Sequence, residues 1–124
     1  MKPTVLIVDD DTKFLTFVGH KLKRGGYRVL SANDGCEVPE LLARTHVDVL
    51  VLDLQMPGMN GWELIRHLAD RSVFPNTRPK IVVISGRDEA ETQAFVRRLG
   101  ADVFLTKPLW GEQILSALAQ VLHP

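Results

Sequence analysis

Thr4-Val5-Leu6-Ile7-Val8-Asp9-Asp10 decides the fold. An apolar run this short, with no polar alternation, reads as a strand buried on both faces, as in a parallel sheet covered by helices. It ends on two carboxylates. Three later runs also end on a chemically capable side chain. Val49-Leu50-Val51-Leu52 ends on Asp53, Ile81-Val82-Val83-Ile84 on Ser85, and Val103-Phe104-Leu105-Thr106 on Lys107. Tyr27-Arg28-Val29-Leu30-Ser31 is the least strand-like run, because it is partly polar. Strands are expected near 4–8, 28–32, 48–52, 80–84 and 103–106.

Helix-period segments fill the intervals. Leu15, Val18 and Leu22 form a stripe that Gly25-Gly26 ends, with Asp11 or Thr12 as N-cap. Val38, Leu41 and Leu42 mark a second helix, with Pro39 tolerable only in its first turn. Asn60 and Glu63 read as a capping pair before Ile65, Leu68 and Ala69. Phe95, Val96 and Leu99 line a fourth helix that Gly100 stops, and Ile114, Leu115, Leu118, Val121 and Leu122 line a fifth. Strand and helix alternate five times, which predicts an α/β fold with a parallel sheet, right-handed crossovers and helices on both faces. Asp70 to Pro79 reads as a connector at the opposite end from the strand tips.

Composition limits the function. A chain of 124 residues is expected to form one domain with its own core, over 1–124. Fifteen Lys and Arg balance fifteen Asp and Glu, so no basic excess points to nucleic-acid binding. One cysteine, Cys36, excludes an intramolecular disulfide and any multi-cysteine metal site. No apolar run approaches membrane-spanning length, and the start does not resemble a signal peptide. A cytoplasmic protein that does not engage a membrane is the expectation. His123-Pro124 leaves room for a linker to a further domain.

Ligands bind beyond the carboxyl ends of strands in open parallel sheets. Asp9, Asp10, Asp53, Ser85 and Lys107 are therefore expected to converge. Crowded carboxylates favour a cation, and Mg²⁺ takes one or two carboxylates together with phosphate oxygens. Lys107 adds a point charge suited to phosphate and Ser85 a hydroxyl donor. The backbone after Ser85 leads through Gly86 into a helix start, where free N–H groups favour anions. Each residue alone has a plainer explanation: a cap, a turn residue or a solvated lysine. The set at four strand ends points to Mg²⁺-dependent phosphoryl chemistry.

The chain resembles the receiver domain of two-component response regulators over essentially its whole length. The resemblance rests on Val5 to Asp10, on Asp53-Leu54-Gln55-Met56-Pro57-Gly58-Met59-Asn60-Gly61, on Val83 to Gly86, and on Gly100 to Pro108. It implies a flavodoxin-like doubly wound sheet in the order 2-1-3-4-5. It implies that Asp53 accepts a phosphoryl group from the phosphohistidine of a sensor histidine kinase or a histidine phosphotransfer protein. Asp10, Asp53 and the backbone carbonyl of Gln55 would ligate Mg²⁺, or Mn²⁺ in its place, with Asp9 acting mainly through water. Lys107 and Ser85 would contact phosphoryl oxygens, and the Lys107-Pro108 bond would be cis. Ser85 and Phe104 would form the switch, passing the signal through the fourth helix, fifth strand and fifth helix to an effector domain or partner. Gln55 and Arg87 would tune the lifetime of the phosphoryl group. Such a domain is a signalling element that catalyses its own phosphorylation and dephosphorylation.

One departure concerns the output face. The last helix carries only Glu112 as a charge, which puts a charge-paired dimer of the winged-helix regulators in doubt. Four histidines, His20, His46, His67 and His123, show no ligand spacing. Cys36 reads as a packing or surface residue, Trp62 as packing, and Trp110 as packing or a partner contact. Two rivals remain. A haloacid-dehalogenase-like phosphatase would use Asp9 as nucleophile and Asp11 as acid/base. It needs an acidic pair after the lysine, where only Glu112 follows, and it leaves Asp53 without a role. A pseudo-receiver acting only as an interaction module would ordinarily have lost a pocket residue, and all five are present.

Overall fold

The computed structural model describes residues 2–54, 61–68, 78–86, 90–107, 109 and 111–123. Residues 70–77 of the connector, the capping Asn60 and the residues Gln55, Arg87, Pro108 and Trp110 lie outside the described residues, as does the side chain of Trp62. The elements run β1 (Thr4–Val8), α1 (Thr12–Arg24), β2 (Arg28–Ala32), α2 (Val38–Arg44), β3 (Val49–Asp53), α3 (Gly61–Leu68), β4 (Lys80–Ser85), α4 (Ala90–Arg98), β5 (Val103–Thr106) and α5 (Gly111–Leu122). A single 3₁₀ turn at Gly35–Glu37 precedes α2.

The sheet has five strands in the order β2-β1-β3-β4-β5. Every pairing is parallel, and the register sets Val5 beside Val29 and Val49, and Leu50 beside Ile81. The doubly wound parallel sheet with helices on both faces is thus present. All five strands lie where their apolar runs placed them, including partly polar β2 at the sheet edge. Asp53 and Ser85 are the last residues of β3 and β4, each one position further into the strand than expected.

Side chains alternate across a strand, so each central strand feeds two cores. Leu6, Leu50, Leu52, Ile81 and Val83 join Val38, Leu64, Ile65, Leu68 and Val96 on the α2–α3–α4 side. Val5, Ile7, Val49, Val51, Val82 and Ile84 join Leu15, Val18, Leu22, Ile114 and Leu118 on the α1–α5 side. Two layers of helix on one sheet therefore bury β1, β3 and β4 from both faces, the reason their sequences lack polar alternation.

Two aspartates fix the amino-terminal edge of the sheet. Asp48 Oδ2 accepts the Thr4 amide at 2.8 Å, and Asp102 Oδ2 accepts the Ile81 amide at 2.8 Å. The same aspartates donate their own amides to Thr4 and Ile81 carbonyls at 2.9 and 2.8 Å. The β1–β3 and β4–β5 pairs are thus each closed by a reciprocal bond, which opposes a slip of register. Gly100, at φ 109°, ends α4 in the left-handed region where a Cβ is costly. Arg78 covers this turn by donating to the Gly100 carbonyl at 2.8 Å.

Candidate functional site

The start of α1 is set by the residues that follow β1. Asp11 is the N-cap: its Oδ1 accepts the amides of Lys13 and Phe14 at 3.0 and 3.2 Å. Its own amide donates to Asp9 Oδ1 at 3.0 Å. One buried carboxylate thus holds the cap, and the cap holds the first turn. The sequence left Asp11 and Thr12 as alternatives, and the side-chain bonds select Asp11.

Asp9, Asp53 and Ser85 are buried, while Asp10 is exposed. Carboxylate oxygens of Asp9, Asp10 and Asp53 all lie within 4.8 Å of one another. Lys107 reaches into this cluster from the end of β5, with Nζ 3.1 Å from Asp9 Oδ2 and 3.1 Å from Asp53 Oδ2. Its amide donates to the Ser85 carbonyl at 2.8 Å, which ties the lysine's backbone to the end of β4. The five residues from four strand ends therefore meet, with Lys107 bridging two of the acids.

Electrostatics follow from burial. Burial pushes the Asp9 carboxyl above its ordinary value; the Asp11 amide and Lys107 pull it down, and nearby Asp53 adds to the upward push. Burial acts against the Lys107 charge, but its hydrogen bonds to Asp9 and Asp53 outweigh that and hold its value above the ordinary one. Three carboxylates against one ammonium leave an excess of negative charge. Hard oxygen donors this close suit a small divalent cation such as Mg²⁺.

Phe14 was not singled out by its sequence position. The Lys107 ammonium lies 5.3 Å from the centre of its ring, within cation–π range. Its i+3 place after Asp11 is legible, but its meeting with a residue 93 positions later is not.

Phe104 is half-buried and packs against the core on the α2–α3–α4 side, beside Val83 in register. Glu112, the one acid that follows Lys107, lies in α5 and is bonded to Lys21 of α1, so it supplies no part of the strand-borne acidic pair the phosphatase alternative needs. Cys36 is exposed. His46 pairs with Asp48 at 3.0 Å, and among the described residues no histidine belongs to the acidic cluster. No helix among the described residues is long and apolar enough to cross a membrane.

A family model for the response regulator receiver domain matches residues 5–119. The chain belongs to that family. The response regulator MprA of Mycobacterium leprae is 36% identical over 96% of this chain and 50% of its own length. Protein PilH of Pseudomonas aeruginosa is 31% identical over 95% of this chain and 96% of its own. Among solved structures, the chemotaxis response regulator CheY4 of Vibrio cholerae superposes with a TM-score of 0.87 at 30% identity, covering 98% of this chain and 99% of that one. The receiver spans about half the length of the first curated relatives it matches. Membership removes the phosphatase alternative as a description of the family. The pseudo-receiver alternative is a matter of what this particular receiver does.

Proposed function

We propose that this receiver accepts a phosphoryl group on Asp53 and uses it to switch its α4–β5–α5 face. The observation that carries the reading is Lys107 held 3.1 Å from both Asp9 and Asp53, with Asp10 completing the acidic cluster. A pseudo-receiver has no use for a lysine and three acids kept together at such electrostatic cost.

The donor is a phosphohistidine of a sensor histidine kinase or a histidine phosphotransfer protein. An Asp53 carboxylate oxygen attacks phosphorus, the bond from phosphorus to the imidazole nitrogen breaks, and the imidazole leaves. The product is an acyl phosphate. Phosphoryl transfer passes through a loose, charge-spread transition state, so positioning and positive charge supply most of the rate. Asp10, Asp53 and the Gln55 carbonyl would hold Mg²⁺, or Mn²⁺, with Asp9 supporting them mainly through water. When bound, that cation supplies charge neutralisation at the phosphoryl oxygens. Lys107 moves from the Asp53 carboxylate to a phosphoryl oxygen, and the Ser85 hydroxyl donates to another. The same groups serve hydrolysis, and Gln55 and Arg87 set its rate by shielding the phosphoryl group from water.

The new charge draws Ser85 and the loop after it, and Phe104 turns into the space released. The output goes to an effector domain or a partner protein in the cytoplasm, with residues 1–124 acting as one domain that binds no nucleic acid itself. Intact mass with acetyl phosphate and Mg²⁺ tests the reading, on wild type and Asp53→Asn. A hydroxylamine-labile, Mg²⁺-dependent adduct in wild type alone supports it. No adduct, when Mg²⁺ binds and a phosphohistidine donor also fails, leaves the pseudo-receiver.

A further inference from the structure

We infer that Phe14 is a positioning residue for Lys107: its ring face holds the ammonium at the pocket through every stage of phosphoryl transfer. The inference rests on the phosphoacceptor reading above and adds a residue to it. Four contacts close a circuit. Asp9 Oδ1 accepts the Asp11 amide at 3.0 Å, Asp11 Oδ1 accepts the Phe14 amide at 3.2 Å, the Phe14 ring faces the Lys107 ammonium at 5.3 Å, and that ammonium donates to Asp9 Oδ2 at 3.1 Å. Phe14 itself is half-buried and packed against the α1–α5 core, so its ring has a fixed seat.

The chemistry explains why an aromatic ring suits this place. Lys107 must stay near the reaction while its partner Asp53 changes from carboxylate to acyl phosphate. A fourth carboxylate would hold the ammonium but would repel the incoming phosphoryl oxygens and add to three acids already crowded together. A ring face attracts the ammonium through its quadrupole, adds no net charge and takes up none of the three N–H donors. It leaves them for Asp9, Asp53 and phosphoryl oxygens, and it persists when the Asp53 contact is lost. Because Asp9 fixes both the start of α1 and the lysine, ring and ammonium are anchored to the same carboxylate.

The test compares wild type, Phe14→Leu and Phe14→Tyr. Phe14→Met, which is unbranched and reaches further into the ring's place, replaces the leucine variant where that does not fold. The first readout is the NMR shift of the Lys107 εCH₂ protons, which a ring face above them moves upfield. The second is the rate of phosphorylation by acetyl phosphate, and the third is Mg²⁺ affinity by calorimetry. In Phe14→Leu the upfield shift is expected to vanish and the rate to fall about three- to tenfold, as a partly exposed cation–π contact implies. Mg²⁺ affinity is expected to stay within about twofold, and Phe14→Tyr to restore shift and rate. A leucine variant with the wild-type rate, or with the Lys107 shift unchanged, overturns the inference. A wild type that takes no phosphoryl group overturns the phosphoacceptor reading instead, and the shift alone then decides whether Phe14 positions Lys107.

Discussion

The Lys107 ammonium is shared equally between Asp53 and Asp9, 3.1 Å from an oxygen of each. Before phosphorylation, the group that would stabilise the transferred phosphoryl is thus occupied by the acceptor itself. The pair also leaves Lys107 beside the same acids that would ligate a cation. Replacing it has opposite effects on two measurable quantities. Lys107→Gln is expected to tighten Mg²⁺ binding, because a like charge leaves the site. It is also expected to destabilise the metal-free protein by about 1–3 kcal/mol, because buried Asp9 loses its charged donor. Calorimetry and urea titration in EDTA check the two. Weaker Mg²⁺ binding in the variant would show that Lys107 organises the metal ligands rather than opposing the metal.

Asp10 is the exposed member of the cluster, and among the described residues no side-chain hydrogen bond ties it down as Asp9 is tied. Its charge works against its neighbours until a cation arrives. Asp10→Asn is expected to leave the metal-free protein as stable as wild type or more stable by up to about 1 kcal/mol, given solvent screening. The rise in melting temperature that Mg²⁺ gives wild type is expected to be largely lost. A variant that is less stable in EDTA yet keeps its Mg²⁺ response would assign Asp10 a structural role.

Burial holds the Asp9 carboxyl above its ordinary value against the pull of the Asp11 amide and Lys107. The folded protein therefore takes up a proton at Asp9 at a higher pH than the unfolded chain does. Through this group, stability is fully present below the unfolded value and is lost as pH rises through the raised one. Metal binding runs the other way, since it needs the carboxylate. In EDTA, wild type is expected to gain stability relative to Asp9→Asn as pH falls from neutral toward the ordinary aspartate value. Its Mg²⁺ affinity should meanwhile fall from a higher pH than that of Asp9→Asn. Denaturation and calorimetry across that window decide; a stability gap that does not change with pH would mean Asp9 titrates like an exposed aspartate.

The strands were the most legible part of the sequence. Val5 to Val8 and Val49 to Leu52 are apolar at consecutive positions because helices cover both faces of the sheet. The four strand-end residues and Asp9 followed from that placement, since parallel strands bring their carboxyl ends to one side. Helix faces were read less fully. Leu64 and Ala117 are buried beside the stripes that were recognised. A short helix lying on a sheet buries a wider face than a strict stripe, and alanine carries little signal. Contacts that depend on side-chain reach could not be read. Phe14 meets Lys107 across the fold, and Asp48 and Asp102 look like loop residues until their strand partners are known.

Those two aspartates give a prediction away from the pocket. Asp102→Ala removes the acceptor of the Ile81 amide, which sits at the start of β4. The expected cost is about 1–3 kcal/mol, since a strand-end amide loses a charged partner. Asp102→Asn, which retains an oxygen acceptor, is expected to recover part of it. Phosphorylation of Asp53 should proceed at the wild-type rate in both, because β4 is still fixed at its other end by the Lys107–Ser85 backbone bond. A large rate loss in the asparagine variant would show that the two ends of β4 are coupled.

Phe104 offers the most direct test of signal output. Its side chain is half-buried against the core that includes Val96 of α4, and it lies in register with Val83, two residues before Ser85. It is therefore placed to feel a movement of Ser85 and to pass it to α4. Phe104→Ala is expected to cost about 1–3 kcal/mol, less than a fully buried aromatic would. It is expected to accept the phosphoryl group at nearly the wild-type rate, because Phe104 packs against the apolar core and supplies no charged group to the pocket. The difference should lie in propagation. On phosphorylation, NMR shifts near Asp53 are expected to change as in wild type, while the Val96 methyl signals are expected to move in wild type and to stay still in the variant. Val96 signals that move equally in both proteins would remove Phe104 from the switch and leave it a packing residue of β5.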